Sequence, residues 1–240
     1  MGPPGGGRSQ LTQRLQRHFN MITYSTLDNN SIEMIFSKIL GRYLGIFSDD
    51  VKGYIKQVVD ATQIVYSGVE DKLKPIPAKS HYTFNLRDMS KIFQGVCSAS
   101  SKLVLTKLDL VKLWVHENQR VFGDRMISEA DKEVLLELLM DQAERKFEAK
   151  KEDIFENDRI IYGDFAFGMD GDNRPYQIIN DLPAMVRKIE EYLEDYNSTS
   201  KSPMKLILFL DACDHVARIC RVLRQPLGNA LLLGVGGSGR

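Results

Sequence analysis

The residues best suited to chemistry are the last seven, Gly234, Val235, Gly236, Gly237, Ser238, Gly239 and Arg240. The spacing Gly234-x4-Gly239 is that of a phosphate-binding loop, G-x-x-x-x-G-K-[ST]. Glycines suit such a loop because no Cβ blocks several backbone N–H groups from converging on one anion. Arg240 stands where the motif has Lys; it keeps the charge but replaces a compact ammonium with a planar fork. The sequence stops before the Ser/Thr that holds Mg²⁺, so the Mg²⁺ ligand is missing from these residues. The chain alone is expected to lack a complete ATP site and to contact phosphate with weak or absent turnover.

A second set, Cys213, His215 and Cys220, invites a metal reading. On a helix the two cysteines share a face, while His215 lies about 200° round from Cys213. Core thiols are the better reading, and no metal site is expected. With Cys97, three spaced cysteines suit a reducing compartment rather than a disulfide framework.

Composition excludes several classes. Lys+Arg and Asp+Glu both number 32, so no net basic field draws nucleic acid or an anionic membrane. No apolar run approaches the roughly 20 residues that span a bilayer. Neither a nucleic-acid nor a membrane partner is expected.

The elements that must position the glycine-rich loop are mostly helical. Thr12 to Arg17 reads as a short basic helix, and His18 to Tyr24 as a strand by its aromatic and β-branched content. From Ser31 the period changes: Ile32, Ile35, Phe36, Ile39, Leu40, Tyr43 and Leu44 follow helical spacing up to Gly45. Val51 to Val65 makes a second helix. Asn85 N-caps a third, Thr106 with Asp109 forms a capping box for a fourth, and Ser128 starts a fifth. Residues 31–149 thus predict an all-helical bundle. The mixed-charge run 144–158 reads as a solvated tail or linker, and 159–168 as a strand broken by glycine. Asp181 and Pro183 open another helix. Residues 197–203 read as a loop. Met204 to Gln225 predicts a last helix, with Asp214 and Arg218 on its wet side, before Pro226–Gly228 turns the chain into the apolar run Ala230–Leu233.

Several of these stretches together resemble one family. Gly228-Asn-Ala-Leu-Leu-Leu-Gly-Val-Gly-Gly-Ser-Gly-Arg240, after Ala217-Arg-Ile-Cys-Arg-Val-Leu-Arg-Gln-Pro226, looks like the start of the fourth AAA+ module of an axonemal dynein heavy chain. Arg240 in place of Lys agrees with that family's fourth module. Met1-Gly-Pro-Pro-Gly-Gly-Gly-Arg8 resembles the loop after the sensor-1 strand of the third module. The stretch from His81 to Gly95 resembles that module's helical lid, and Tyr162-Gly-Asp-Phe165 and Tyr192-Leu-Glu-Asp-Tyr-Asn197 also match.

The resemblance implies a mixed α/β fold, mostly α, in which partial AAA+ P-loop modules flank a helical lid bundle. Residues 1–30 would end the large subdomain of the third module and 31–150 would be its lid. Residues 151–203 would link to the fourth module, and 204–240 would begin it. Arg17 would be an arginine finger acting in trans on the preceding module's nucleotide. Arg87 would be the sensor-2 residue. Tyr176 to Asp181 resembles the stretch lining the fourth module's adenine pocket. The implied cofactors are ATP or ADP with Mg²⁺ in the parent protein. The implied partners are neighbouring AAA+ modules, dynein intermediate and light chains, and microtubules. The implied setting is cytoplasm and cytoskeleton, in the axoneme of cilia and flagella. The competing expectation is a non-enzymatic helical interaction module built on residues 31–149. A stand-alone P-loop ATPase fits poorly, because both the Mg²⁺-binding hydroxyl and an acidic partner strand are missing.

Overall fold

A computed structural model describes residues 11–24, 27–156, 159–166 and 174–234. The chain is mostly helical. α1 (Gln13–Gln16) leads to α2 (Asn29–Leu44), α3 (Asp49–Lys52), α4 (Ile55–Lys72), α5 (Leu86–Val96), α6 (Lys107–Val121), α7 (Glu129–Phe147) and α8 (Lys151–Ile154). Two short strands follow, β1 (Tyr162–Gly163) and β2 (Gln177–Ile178), then α9 (Leu182–Thr199) and α10 (Leu210–Arg224). β1 and β2 pair antiparallel, with Tyr162 opposite Ile178.

Helix starts fall where side chains can satisfy the first free backbone N–H groups. Asp28, Ser48, Asn85, Thr106, Ser128 and Asp181 each accept from a backbone N–H in the first turn of the helix they open. Asn85 with Asp88 and Thr106 with Asp109 form full capping boxes. The helical bundle 31–149 is therefore present, with one change: the second helix is divided at Gly53 and Tyr54 into α3 and α4.

α4 packs against α2 and α7, and α5 against α6. Their core includes Leu40, Val58, Val65, Ile92, Trp114 and Leu139, all buried. Trp114 Nε1 donates to Thr62 Oγ1 at 2.9 Å, and Thr62 donates to the Val58 carbonyl at 2.6 Å. The indole is thus buried with its one polar group satisfied. A second, smaller core joins Ile161 and Phe165, on either side of β1, to Met185 and Ile189 of α9 and Cys213 and Ala217 of α10.

Several sequence expectations are corrected. Residues 18–24 form no strand. Met21, Ile22 and Tyr24 are 69%, 78% and 87% exposed, so their β-forming side chains have no sheet face to cover. Met204–Leu208 is not helical; α10 begins at Leu210, and Ile207 is 89% exposed. The Ala230–Leu233 run likewise has no strand partner among the described residues. Conversely, α9 continues through Thr199, beyond the expected loop start. The charged run after Glu144 is not a solvated tail: Phe147, Ala149 and Ile154 are buried in the bundle core. α7 ends in a left-handed turn at Glu148 (φ 53°), with Ala149 N–H returning to the Ala143 carbonyl at 3.2 Å. That stop carries no glycine, so composition concealed it.

The segment joining α4 to α5 is fastened to the start of α7. Lys79 Nζ donates to Asp131 Oδ2 at 2.5 Å, and the Tyr82 hydroxyl donates to the same oxygen at 2.7 Å. The hydrogen bond from Lys79, with further ones from Ser128 and Tyr82, holds the Asp131 carboxyl down to about 2 against the opposing effect of burial. A depressed carboxyl stabilises the fold above its unfolded pKa and loses that contribution as pH falls toward its folded value. We expect Asp131→Asn to lower stability by about 2 kcal/mol at neutral pH. It should also flatten the loss of stability between about pH 4 and 2. Urea unfolding across that range measures both, and equal stability of the two proteins at pH 7 would refute the latch.

Candidate functional site

The sequence-predicted residues are not gathered in one place by the described structure. Gly234 is exposed, and Val235, Gly236, Gly237, Ser238, Gly239 and Arg240 lie outside the described residues. Arg17 follows the last residue of α1 and is exposed, its Nε donating to His18 Nε2 at 3.2 Å. Arg87 lies in the first turn of α5, also exposed. Its backbone N–H donates to Asn85 Oδ1 at 2.9 Å. Among the described residues, no hydrogen bond or ion pair joins Arg17 to Arg87.

The helix end carrying Arg87 is held firmly. Arg125 Nη1 donates to Asp88 Oδ2 at 2.9 Å, and its Nη2 donates to the carbonyls of His81 and Thr83 at 2.8 and 3.1 Å. The guanidinium also lies over the Phe84 ring, 4.7 Å from its centroid. One arginine thus ties the approach segment to the first turn of α5, so Arg87 projects from a fixed base.

The constellation that the sequence reading missed lies between the bundle and α10. Glu117 of α6 is fully buried. Arg221 of α10 donates through Nε to Oε1 and Oε2 at 3.4 and 3.1 Å, and through Nη2 to Oε2. The Tyr176 hydroxyl donates to Oε1 at 2.8 Å. His116 Nδ1–H donates to the Ile160 carbonyl at 3.0 Å, and its Nε2 lies 3.1 Å from the Tyr176 oxygen. Burial, then the positive charges of Arg120 and Arg221, push the His116 imidazole well below its ordinary value, so it is neutral. The single phenolic proton of Tyr176 therefore stands between two acceptors, His116 Nε2 and the Glu117 carboxylate. Burial first, and then the Glu117 charge, push the Tyr176 phenol well up and keep that proton on the tyrosine oxygen. Burial alone would lower Arg221, but Glu117 outweighs it and raises the guanidinium further.

Gly95 makes room for this carboxylate. A Cβ there would lie 1.7 Å from Glu117 Oε2 and 2.3 Å from its Cδ. Only glycine lets α5 and α6 approach this closely around a buried charge. In the stretch Tyr176 to Asp181, which resembles an adenine-pocket lining, Tyr176 is buried against α6 and Asp181 caps α9 through Ala184 N–H at 2.8 Å.

A second ionic group continues the seam. Arg120 bonds Asp214 and Asp124 at 3.4 Å each, and Arg218 meets Asp214 at 2.5 Å and Asp124 at 3.5 Å. Asp214 is 8% exposed, so the expected wet face of α10 in fact faces the bundle. Burial raises Asp124, the two arginines oppose that, and Asp214 adds to it. Beside this group opens a cleft of about 650 Å³ that also takes in Arg159, Lys132, Asp211 and Glu129. Each of its Lys or Arg side chains already meets a carboxylate, including Arg159 on Asp211 and Lys132 on Glu129. The cleft offers no surplus charge to an anion. Cys213 packs in the smaller core while His215 is exposed on another side of α10.

Two family matches give the class, part of an AAA+ protein. Residues 58–157 match the AAA+ lid domain, and residues 204–240 match the P-loop containing dynein motor region D4. The chain is 45% identical over 255 aligned residues to dynein axonemal heavy chain 1 of Homo sapiens, covering all of this chain and 6% of that protein. It is 40% identical to human dynein axonemal heavy chain 6, over 99% of this chain and 6% of that protein. It is 41% identical to dynein axonemal heavy chain 2 of Mus musculus, over all of this chain and 5% of that protein. The chain belongs to the axonemal dynein heavy-chain family, and it spans about a twentieth of the length of these relatives.

Gly95→Ala should force the Glu117 carboxylate off its partners. The expected loss is about 3 kcal/mol, the range for breaking a buried ion pair. Thermal unfolding checks it, and a stability equal to the unsubstituted protein's would refute the close fit of Gly95 on Glu117.

Proposed function

We propose that this chain is the ring region of an ATP-driven, minus-end-directed microtubule motor, spanning the end of its third AAA+ module and the start of its fourth. The observation that carries the reading is the order of the two family matches. A lid match over the bundle is followed, within one chain, by a dynein motor match that contains Gly234–Arg240. In this reading residues 1–30 end the large subdomain of the third module and 31–150 are its lid. Residues 151–203 connect to the fourth module, and 204–240 begin it.

The glycine-rich loop holds the phosphates of ATP or ADP, accompanied by Mg²⁺, in the complete fourth module. Backbone N–H groups of Gly236, Gly237 and Gly239 and the Arg240 fork supply positive ends where the phosphate charge is concentrated. Arg87, projecting from the braced first turn of α5, acts as sensor 2 on the nucleotide of its own module. Arg17 acts in trans on the preceding module's nucleotide. The exposure of both arginines supports these roles, since each is free to reach a group on another part of the ring. The partners are the neighbouring AAA+ modules, with intermediate and light chains and microtubules met through the parent protein. The motor works in the axoneme, within the cytoplasmic cytoskeleton.

In the full heavy chain, ATP should slow amide exchange in residues 229–240. Arg240→Ala should raise the ATP concentration needed for half protection about tenfold, the loss of a charge-assisted hydrogen bond to phosphate. Hydrogen exchange with mass spectrometry measures both. No ATP-dependent change in that peptide would overturn the nucleotide reading.

A further inference from the structure

Glu117 and Arg221 lie outside any nucleotide-contacting set, yet their ion pair bears on the nucleotide loop through a short, tightly built connection. Arg221 is in the last turn of α10, 13 residues before Gly234. Its guanidinium is fixed by the buried Glu117 carboxylate on three hydrogen bonds. In the same turn Arg224 Nη1 donates to Asp164 Oδ2 at 2.6 Å and to the Arg174 carbonyl at 2.9 Å.

Beyond that turn the chain has little freedom. Gln225 N–H returns to the Val222 carbonyl at 3.2 Å, and Gly228 N–H to the Gln225 carbonyl at 2.8 Å. Leu227 takes a left-handed φ of 56°. A Cβ on Gly228 would stand 2.1 Å from the Val222 carbonyl oxygen. The turn 225–228 is therefore pressed against the carbonyl end of α10 and cannot swing independently of it. Six residues later comes Gly234. The turn from which the Ala230–Leu233 run departs thus follows the orientation of α10, and Glu117 helps set that orientation from the bundle.

We propose that Glu117 is a positioning residue for the nucleotide loop of the next module, acting through Arg221 and the tight turn at Leu227–Gly228. The proposal rests on the reading of Gly234–Arg240 as that loop. Glu117 itself touches no nucleotide; it fixes the ground on which the loop stands. Loss of the pair leaves α10 held by its apolar contacts to α9 and β1 and by the more exposed ion pairs of Asp211, Asp214, Arg218 and Arg224, without the one fully buried bidentate contact. Binding at the loop then carries the added cost of fixing α10, and affinity falls. Coupling of this kind is reciprocal, so ATP at the loop must also steady α6 around Glu117.

The test uses the full heavy chain and ATP itself, read by local hydrogen exchange. In the parent protein, ATP should protect residues 229–240 and also slow exchange in 113–121. Glu117→Gln keeps the shape but removes the charge, and should raise the half-protecting ATP concentration five- to tenfold. Arg221→Lys keeps the charge but loses the fork, and should raise it two- to fivefold while α4 and α7 keep their protection. In a double mutant the effects should not add, because each substitution breaks the same contact. Should Glu117→Gln loosen the lid itself, the outcome rests on Arg221→Lys. An unchanged ATP response in that variant overturns the proposal, and so does full additivity in the double mutant. Absence of ATP protection at 229–240 in the parent protein overturns the nucleotide reading and the coupling with it. Protection in the parent that both variants retain overturns the coupling alone.

Discussion

A carboxylate with no access to water governs how this molecule is put together. Taking an ion out of water costs several kcal/mol even after local relaxation, and only well-made hydrogen bonds offset it. Glu117 has three from Arg221 and one from Tyr176, and Gly95 leaves the space it occupies. Those donors do not come from the bundle that carries the carboxylate. They come from α10 and from the strand segment before β2, both later in the chain. The bundle's central helix is therefore completed only when the following elements have docked. A buried charge of this kind stabilises little in itself, but leaving it unpaired is severe.

The rest of the seam repeats this chemistry with more water. Arg120, Asp124, Asp214 and Arg218 alternate in sign across the same junction, and Lys112 meets Glu156 on another side of α6. The two apolar cores thus meet through Ile160, Tyr162 and Tyr176, which join the bundle core, and, on the α10 side, through a run of ion pairs. Apolar surfaces tolerate sliding, since burial depends on area and hardly on angle. Charged hydrogen bonds depend on both distance and angle. The boundary's contribution is a defined orientation more than raw adhesion, and orientation is what a loop built to grip phosphate requires from its support.

How much of this could be read in the residues depends on whether the signal is local. Helix starts were legible because a cap is chosen by its own first turn, as at Asn85, Thr106, Ser128 and Asp181. Strands were not, because a strand exists only with a partner. Residues 18–24 and 230–233 have the side chains of strands, yet no neighbour among the described residues completes them. Met204–Leu208 was read as helix for a related reason: an apolar run followed by a strongly amphipathic helix is continuous by spacing alone. The Glu117 site did leave a trace. Glu117 is four residues after Leu113, three after Trp114 and four before Val121, so it sits on an apolar helix face. A carboxylate there demands a cation from elsewhere. What the sequence could not supply was which one, since Arg221 lies 104 positions away.

The geometry of α10 shows why such a pairing tolerates no register error. Asp214, Arg218 and Arg221 recur at intervals of four and three, so they form one stripe along the helix. Cys213 and Ala217, one residue earlier in each case, form another stripe about 100° away, and those two side chains are buried in the smaller core. Turning the helix by one residue in one sense would drive Asp214, Arg218 and Arg221 into that core; turning it in the other would present Cys213, Ala217 and Cys220 to Glu117 and Arg120. Either consequence alone exceeds the few tenths of a kcal/mol by which helix-surface pairs usually bias a structure. The two unlike faces therefore select a single rotation of α10. The turn at residues 225–228, bonded back to the end of the helix, takes its position from that rotation.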